Sequence, residues 1–370
     1  MIDRKIQLFS WVVFSVLMAI GSPSPANATN EDYTFPTAVS TSSTTTADPL
    51  ASPKAQAVLT YLFNLPNGSS NRIVSGQFEE ASPNTDNIYK ATGKYVGLVG
   101  RDYFYGGNLS TQNSRLINYS NNGGLVTITD HFNNPKTGGN AWDTTSVDFT
   151  QLITPGTSLN TTLNIELNRI ASGLGELQNN NVVVLFRPYH EMNGGWFWWG
   201  GKDPQQYKNL WIYTFNYLTQ TKGLHNLLWV YSSNASLDMT YYPGSQYVDV
   251  LGVDIYGVGT NIPQVSGYSQ ISTLGKPFAI TELGPCDASL TESPSQCPPQ
   301  DIYPIITSIK QNMPKVVFWL SWDRVFSLDY NLNAKQLLED AWVVTREEIS
   351  LPGGSSDTTP PAGPIRLRIR

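Results

Sequence analysis

The chain has 370 residues, a formal net charge of −6, only 14% charged residues and 12% aromatics, among them ten tryptophans and nineteen tyrosines. So low a charge content excludes a disordered polyelectrolyte, and an acidic chain without a Lys/Arg stripe excludes a nucleic-acid partner. The length suits one large domain or two smaller ones, and the aromatic excess fits either a large aromatic core or rings that stack on sugar C–H faces.

The N-terminus reads as a secretory signal over residues 1–28. Arg4 and Lys5 supply the positive start, residues 6–20 are largely apolar, and Ala26-Asn27-Ala28 is a small-x-small cleavage site. The apolar run falls short of a membrane span, so export to the extracellular medium is expected, with no membrane contact after cleavage. Residues 29–51 read as a Ser/Thr-rich linker, and the folded domain is expected over 52–350. Residues 351–370 (LPGGSSDTTPPAGP and a short stub) read as a linker or tail. Cys286 and Cys297 are an even pair that can close a short loop in an oxidising compartment, while no metal-ligand spacing appears.

Within 52–350, eight short apolar runs alternate with helical patterns. The runs are 73–77, 96–102, 125–130, 182–189, 227–232, 248–255, 278–282 and 316–322. Helices are expected over 54–62, 163–177, 204–220, 302–312 and 334–347. The third has Asp203 to cap it and Pro204 at its first position. Its Tyr207, Leu210, Trp211, Thr214, Phe215 and Leu218 form one apolar stripe. Eight runs with helices between them predict a single (β/α)8 barrel. A doubly wound sheet is the runner-up, without the glycine fingerprint that would favour it. In a barrel, functional groups come from the carboxyl ends of different strands. The run endings therefore nominate Gln77, Asp102, His131, Glu191, Ser232, Asp254, Tyr256, Glu282 and Trp322.

Two glutamates stand out. Glu191 follows a β-branched run that Pro188 should terminate, and it sits among Trp196, Trp198 and Trp199. Glu282 ends the run AITELG. Carboxylates facing each other across a cleft can cleave a glycosidic bond, one delivering a proton and the other attacking or activating water. A lone strand-end glutamate is more often a capping or salt-bridged residue, and it is the pairing that favours chemistry.

The stretch RPYHEMNGGWFWWG with ITELG resembles glycoside hydrolase family 26, whose best-known members are secreted endo-β-1,4-mannanases. GRDY at 100–103, HFNNP at 131–135, GVDIYG at 252–257 and FWLSWDR at 318–324 extend the likeness over most of 52–349. The resemblance implies a retaining enzyme with Glu191 as acid/base and Glu282 as nucleophile. His190 would tune the pair by hydrogen bonding and Tyr256 would orient the nucleophile. His131, Trp322, Trp196 and Asp102 would bind substrate, with Arg187 and Asp254 supporting the carboxylates from behind. Trp198 and Trp199 are expected to divide between core and groove. The cysteine pair is expected to pin the loop after Glu282 at the cleft rim. No cofactor or metal is implied, the partner is a β-linked polysaccharide, and a monomer is the default expectation. Family membership leaves β-1,3-xylan and mixed-linkage β-glucan as alternatives to mannan. A secreted binding protein without turnover is the remoter reading.

Overall fold

The strands are set by runs of β-branched and aromatic residues, each stopped by a polar or proline-bearing segment. In the computed structural model, residues 45–67, 71–80, 83–104 and 108–352 are described. The signal segment, residues 29–44 of the linker and residues 353–370 of the tail lie outside them. The strands are β1 (Ile73–Val74), β2 (Gly76–Phe78), β3 (Leu98–Asp102), β4 (Leu125–Thr129), β5 (Val184–Arg187), β6 (Leu227–Asn234), β7 (Val250–Tyr256), β8 (Phe278–Gly284), β9 (Val316–Ser321) and β10 (Val343–Val344). All ladders between them are parallel. The ring from β2 to β9 closes where Gln77 pairs with Ser321, giving the expected (β/α)8 barrel. The first barrel strand is broken at Ser75, whose hydroxyl donates to Val344 O at 2.8 Å and ties in β10.

The helices are α1 (Pro53–Asn64), α2 (Asn84–Thr92), α3 (Leu109–Asn121), α4 (Phe149–Ile153), α5 (Ser158–Asn179), α6 (Pro204–Asn216), α7 (Ile271–Leu274), α8 (Tyr303–Asn312) and α9 (Ala334–Glu339). Asp203 caps α6 as its position predicts, accepting from Gln206 N at 3.0 Å. The expected helix over 204–220 is α-helical only to Asn216 and continues as a π turn, Tyr217–Thr221. The helix expected over 334–347 stops at Glu339. Asp340 turns extended, and the next apolar residues, Val343 and Val344, pair with β1 instead. Sequence periodicity missed α2 and α3, whose apolar stripes are thin: Ile88 in one, Leu116 and Tyr119 in the other.

Alternation along the strands separates two cores. Leu185, Leu228, Val230, Ala279 and Leu320 share one cluster, which fills the barrel. Their chain neighbours Phe186, Trp229, Tyr231, Ile280 and Trp319 face the helices with Leu167, Leu210 and Trp211. Residues of α1 (Ala55, Val58, Leu59, Leu62) join the inner cluster, and Ser52 N, at the start of α1, donates to His225 O, just before β6. Thus α1 covers the mouth opposite the strands' carboxyl ends. The barrel body also starts ahead of the expected Ser52. Ala47 is buried with its N–H on Asp249 Oδ1 at 2.6 Å, and Asp48 meets His225 Nδ1 at 2.7 Å. These specific bonds, invisible to composition, make residues 46–51 part of the barrel rather than linker. No described helix is long and apolar enough to cross a membrane.

Candidate active site

The open mouth of the barrel gathers the ends of β3 to β9. β5 ends at Arg187, as Pro188 requires, and the chain then turns through Tyr189 and Glu191 at positive φ (48° and 54°). Non-glycine residues seldom adopt this region, and they keep it only where the surroundings over-determine it. Here Tyr207 Oη donates to Tyr189 O at 3.0 Å, Trp199 Nε1 to His190 O at 2.8 Å, and Glu191 N to Ser232 O at 2.9 Å. The turn aims the Glu191 side chain into the mouth.

Glu191 Oε1 accepts from Asn234 Nδ2 and Oε2 from Trp196 Nε1, both at 2.8 Å. Burial, and then the nearby charge of Glu282, push the Glu191 carboxyl up to about 7, against these two donors and Arg187. Glu282, from β8, is bonded differently. Tyr256 Oη donates to its Oε2 at 2.6 Å and the Arg187 guanidinium to its Oε1. Burial raises the Tyr256 phenol far above its usual range, helped by Glu282, so it remains a proton donor. Arg187 also donates to Asp254 Oδ2 at 2.8 Å, and Ser232 and Thr281 hydroxyls hold Asp254 Oδ1. Burial opposes the Arg187 charge, but Asp254 and Glu282 outweigh it and raise its pKa. Oxygens of Glu191, Asp254 and Glu282 lie within 4.8 Å of one another. A buried acidic trio of this kind could hold a cation, and Arg187 already supplies one, bonded to two of the three.

The remaining expected residues divide. His190 Nδ1 lies 3.2 Å from Thr129 Oγ1, while its Nε2 is 3.7 Å from Glu282, beyond hydrogen-bond reach. Burial, then Arg187, depress its pKa well below the usual range, so it is a neutral wall of the site rather than the expected hydrogen-bond partner of the carboxylates. His131 projects into the site and packs edge-on to His190 at 4.8 Å. Asp102 is not the substrate contact expected of it. It is buried, with one oxygen on His131 Nδ1 and the other accepting from Phe104 N, so it orients His131. Burial opposes a charge on His131, and Asp102 overrides this and raises its pKa. Trp322 is nearly buried and stacks on Phe78 at 4.0 Å. Trp196 is 41% exposed beside Glu191. Trp198 and Trp199 do not divide between core and groove: both are fully buried. The segment is a series of turns rather than a strand, so alternation does not apply to it. Gln77 is structural, with Oε1 accepting from Leu328 N and Nε2 donating to Trp322 O.

Cys286 and Cys297 form the expected disulfide. It braces the rim: Gly257 N, next to Tyr256, donates to Cys286 O at 2.8 Å, and Gly259 N donates to Pro285 O. Sequence reasoning missed Asn234, which lies two residues past the assigned end of its run. It also missed Trp142, 43% exposed and stacked on His131 at 4.9 Å. Trp142 sits in a loop with no periodicity to mark it.

A parallel (β/α)8 barrel with two buried glutamates paired at its carboxyl-end mouth is the arrangement found in glycoside hydrolases. Residues 47–348 match Glycosyl hydrolase family 26, and the chain belongs to that family. It is 36% identical over 329 residues to a mannan endo-1,4-beta-mannosidase of Bacillus subtilis (strain 168), spanning 82% of this chain and 88% of that one. A second Bacillus subtilis protein of that name is 34% identical over 361 residues, 90% and 94% of the two chains. Among solved structures, a mannanase of Bacillus subtilis superposes with a TM-score of 0.74 at 33% identity, covering 84% of this chain and 97% of that one. A β-(1,4)-mannanase of Podospora anserina does so with a TM-score of 0.66 at 27% identity, covering 83% and 69%.

Proposed function

We propose that this chain is a secreted, retaining endo-β-1,4-mannanase. The mannan preference rests on the relatives' activity, and export on the N-terminal signal pattern. The observation that carries the mechanism is the pairing of Glu191 and Glu282, with oxygens within 4.8 Å of each other. Retaining enzymes hold their carboxyl groups about 5–5.5 Å apart, whereas inverting enzymes leave about 6.5–9.5 Å for a water.

In the first step Glu282 attacks the anomeric carbon and Glu191 gives its proton to the departing glycosidic oxygen. A covalent glycosyl-enzyme and a shortened chain result. Arg187 and Tyr256 hold the two Glu282 oxygens, fixing the line of attack. Once Glu282 is esterified its charge is gone, and with it the main electrostatic contribution that raises the Glu191 pKa. Glu191 then ionises more readily, which suits it to take a proton from water in the second step. Water attacks the anomeric carbon, Glu282 leaves as carboxylate, and configuration is retained. The exposed faces of Trp196, beside Glu191, and Trp142, beside His131, are suited to stack on sugar rings.

The test is reducing-sugar release from mannan, β-1,3-xylan and mixed-linkage glucan by wild type, Glu191→Ala and Glu282→Ala. Release from mannan that both substitutions nearly abolish is expected. A preference for one of the other glycans would correct the substrate, and undiminished turnover by either variant would overturn the mechanism.

A further inference from the structure

Glu191 is gripped from both oxygens, by donors of different character. Trp196, on Oε2, is partly exposed at the cleft. Asn234, on Oε1, is the last residue of β6 and pairs in register with Asp254. Its backbone is locked twice to Asn193: its N–H donates to Asn193 Oδ1 at 2.8 Å, and its carbonyl accepts from Asn193 Nδ2 at 2.9 Å. Immediately after it the chain turns at Ala235, φ 59°, whose N–H donates to Asp254 O. The amide is thus fixed by its own backbone, by the segment bearing Glu191 and by β7. Such bracing is what a group that must aim another side chain requires.

We propose that Asn234 is a positioning residue for the acid/base carboxyl, fixing Oε1 so that Oε2 is the oxygen that exchanges the proton. This rests on the mechanism proposed above. The amide and the indole can both only donate, and they differ in hold: the Asn234 amide is braced by Asn193 and keeps Oε1 an acceptor in both protonation states, whereas the Trp196 indole is 41% exposed and can swing away from Oε2. The proton then resides on Oε2, the oxygen at the Trp196 side, where the glycosidic oxygen and later the attacking water have access. The bond also has an electrostatic sign. A donor to a carboxylate favours its charged form, so Asn234 offsets the burial and the Glu282 charge that act the other way. The other charged or titratable groups facing Glu191 are Arg187 from β5 and Asp254 and Tyr256 from β7. All of them remain when Asn234 is replaced.

The test uses the full chain with Asn234→Ala and Asn234→Leu, the second filling the amide's volume, beside wild type and Glu191→Ala. kcat/KM on soluble mannan is followed against pH, with thermal unfolding of each variant as the check on folding. Loss of the donor should move the alkaline limb of kcat/KM upward by about one pH unit, the order expected for a lost hydrogen bond to a charged group. kcat should fall about tenfold or more, because the base of the second step is no longer aimed. A residue that only supports the fold would lower the yield or Tm and leave the limb in place. An alkaline limb unmoved in a folded Asn234 variant, with Glu191→Ala inactive, overturns this inference and leaves the mechanism standing. Activity persisting in Glu191→Ala would overturn the mechanism itself.

Discussion

Arg187 is the one cation bonded within the buried acidic trio, and Arg187→Met removes it while keeping most of its apolar stem. Oxygens of Glu191, Asp254 and Glu282 lie within 4.8 Å of one another, and Arg187 is only 2% exposed. At that separation and an effective dielectric of about 20, two carboxylate charges repel by about 3.5 kcal/mol. Without the guanidinium the folded variant must take up protons to relieve this, so the Glu191 and Asp254 pKa values, which burial already raises and Arg187 holds down, rise further. A carboxyl whose folded pKa is raised contributes stability at low pH that is lost as pH climbs through the folded pKa. The variant's deficit should therefore be small near pH 5 and should grow to about 3–5 kcal/mol at pH 8, the range for breaking a buried ion pair. Urea unfolding of wild type and variant at both pH values measures it. Activity should fall by a factor of about 100 or more near neutrality, since Glu282 loses the donor that fixes Oε1. A deficit equal at the two pH values, or below about 1 kcal/mol at the higher, would refute the assignment of Arg187 as the charge partner of the trio.

The wild-type kcat/KM should fall as pH rises through about 7, because the free enzyme then loses the Glu191 proton that the leaving group needs; a limb confined to strongly alkaline pH would count against Glu191 as the acid. Gly194→Ala should reduce activity by about tenfold with little change in unfolding temperature, because the new Cβ would lie 2.3 Å from the Trp196 ring and force off the indole that donates to Glu191. Unchanged turnover, with unchanged Trp196 fluorescence, would show that the ring yields without consequence. Replacing Cys286 and Cys297 together by alanine should cost about 2–3 kcal/mol in reversible unfolding, from the short loop they close, with an increase in KM if the rim supported by Cys286 O loosens. Equal stability would mean that the loop is held by its hydrogen bonds alone.

The barrel and its acidic pair were legible because the signals that carry them are local. A buried parallel strand is a run of apolar residues with a polar residue at its end, and in a barrel all such ends converge on one mouth. Glu191, Glu282, Tyr256 and Asp254 are nominated by the run endings, Arg187 comes from the resemblance and ends β5, and all five meet there. What escaped depends on contacts between distant segments. Asp102 looks as though it faces the groove, yet it is turned onto His131 by a bond across the ladder from β3 to the loop after β4. His190 adjoins the acid in sequence, but the positive φ of Glu191 sends the two side chains to different walls. Residues 46–51 read as linker because their tie to the barrel is a pair of single carboxylates, Asp48 and Asp249, with no apolar pattern to announce it.

The aromatic excess that composition left undivided now separates by geometry. Trp198, Trp199, Trp211, Trp229 and Trp319 are fully buried, and only Trp142 and Trp196 among the described tryptophans present large exposed faces. The buried ones are not inert filling. Trp199 ties down the His190 carbonyl and Trp198 donates to Phe132 O at 2.9 Å, so this pair clamps the turn after β5 to the loop after β4. Two non-glycine residues at positive φ, Tyr189 and Glu191, carry strain of order 1–3 kcal/mol each. A loop on the surface would relax it away. Enclosed by Trp199, Tyr207 and the β6 backbone, the turn cannot relax without breaking buried hydrogen bonds, each of which costs about as much to leave unmade. Two of the rings that make the chain look like a sugar binder, Trp198 and Trp199, thus help hold one carboxyl group at an angle the backbone would not otherwise choose, while Trp211, Trp229 and Trp319 pack the core. The two exposed rings, Trp142 and Trp196, are the ones proposed to stack on sugar.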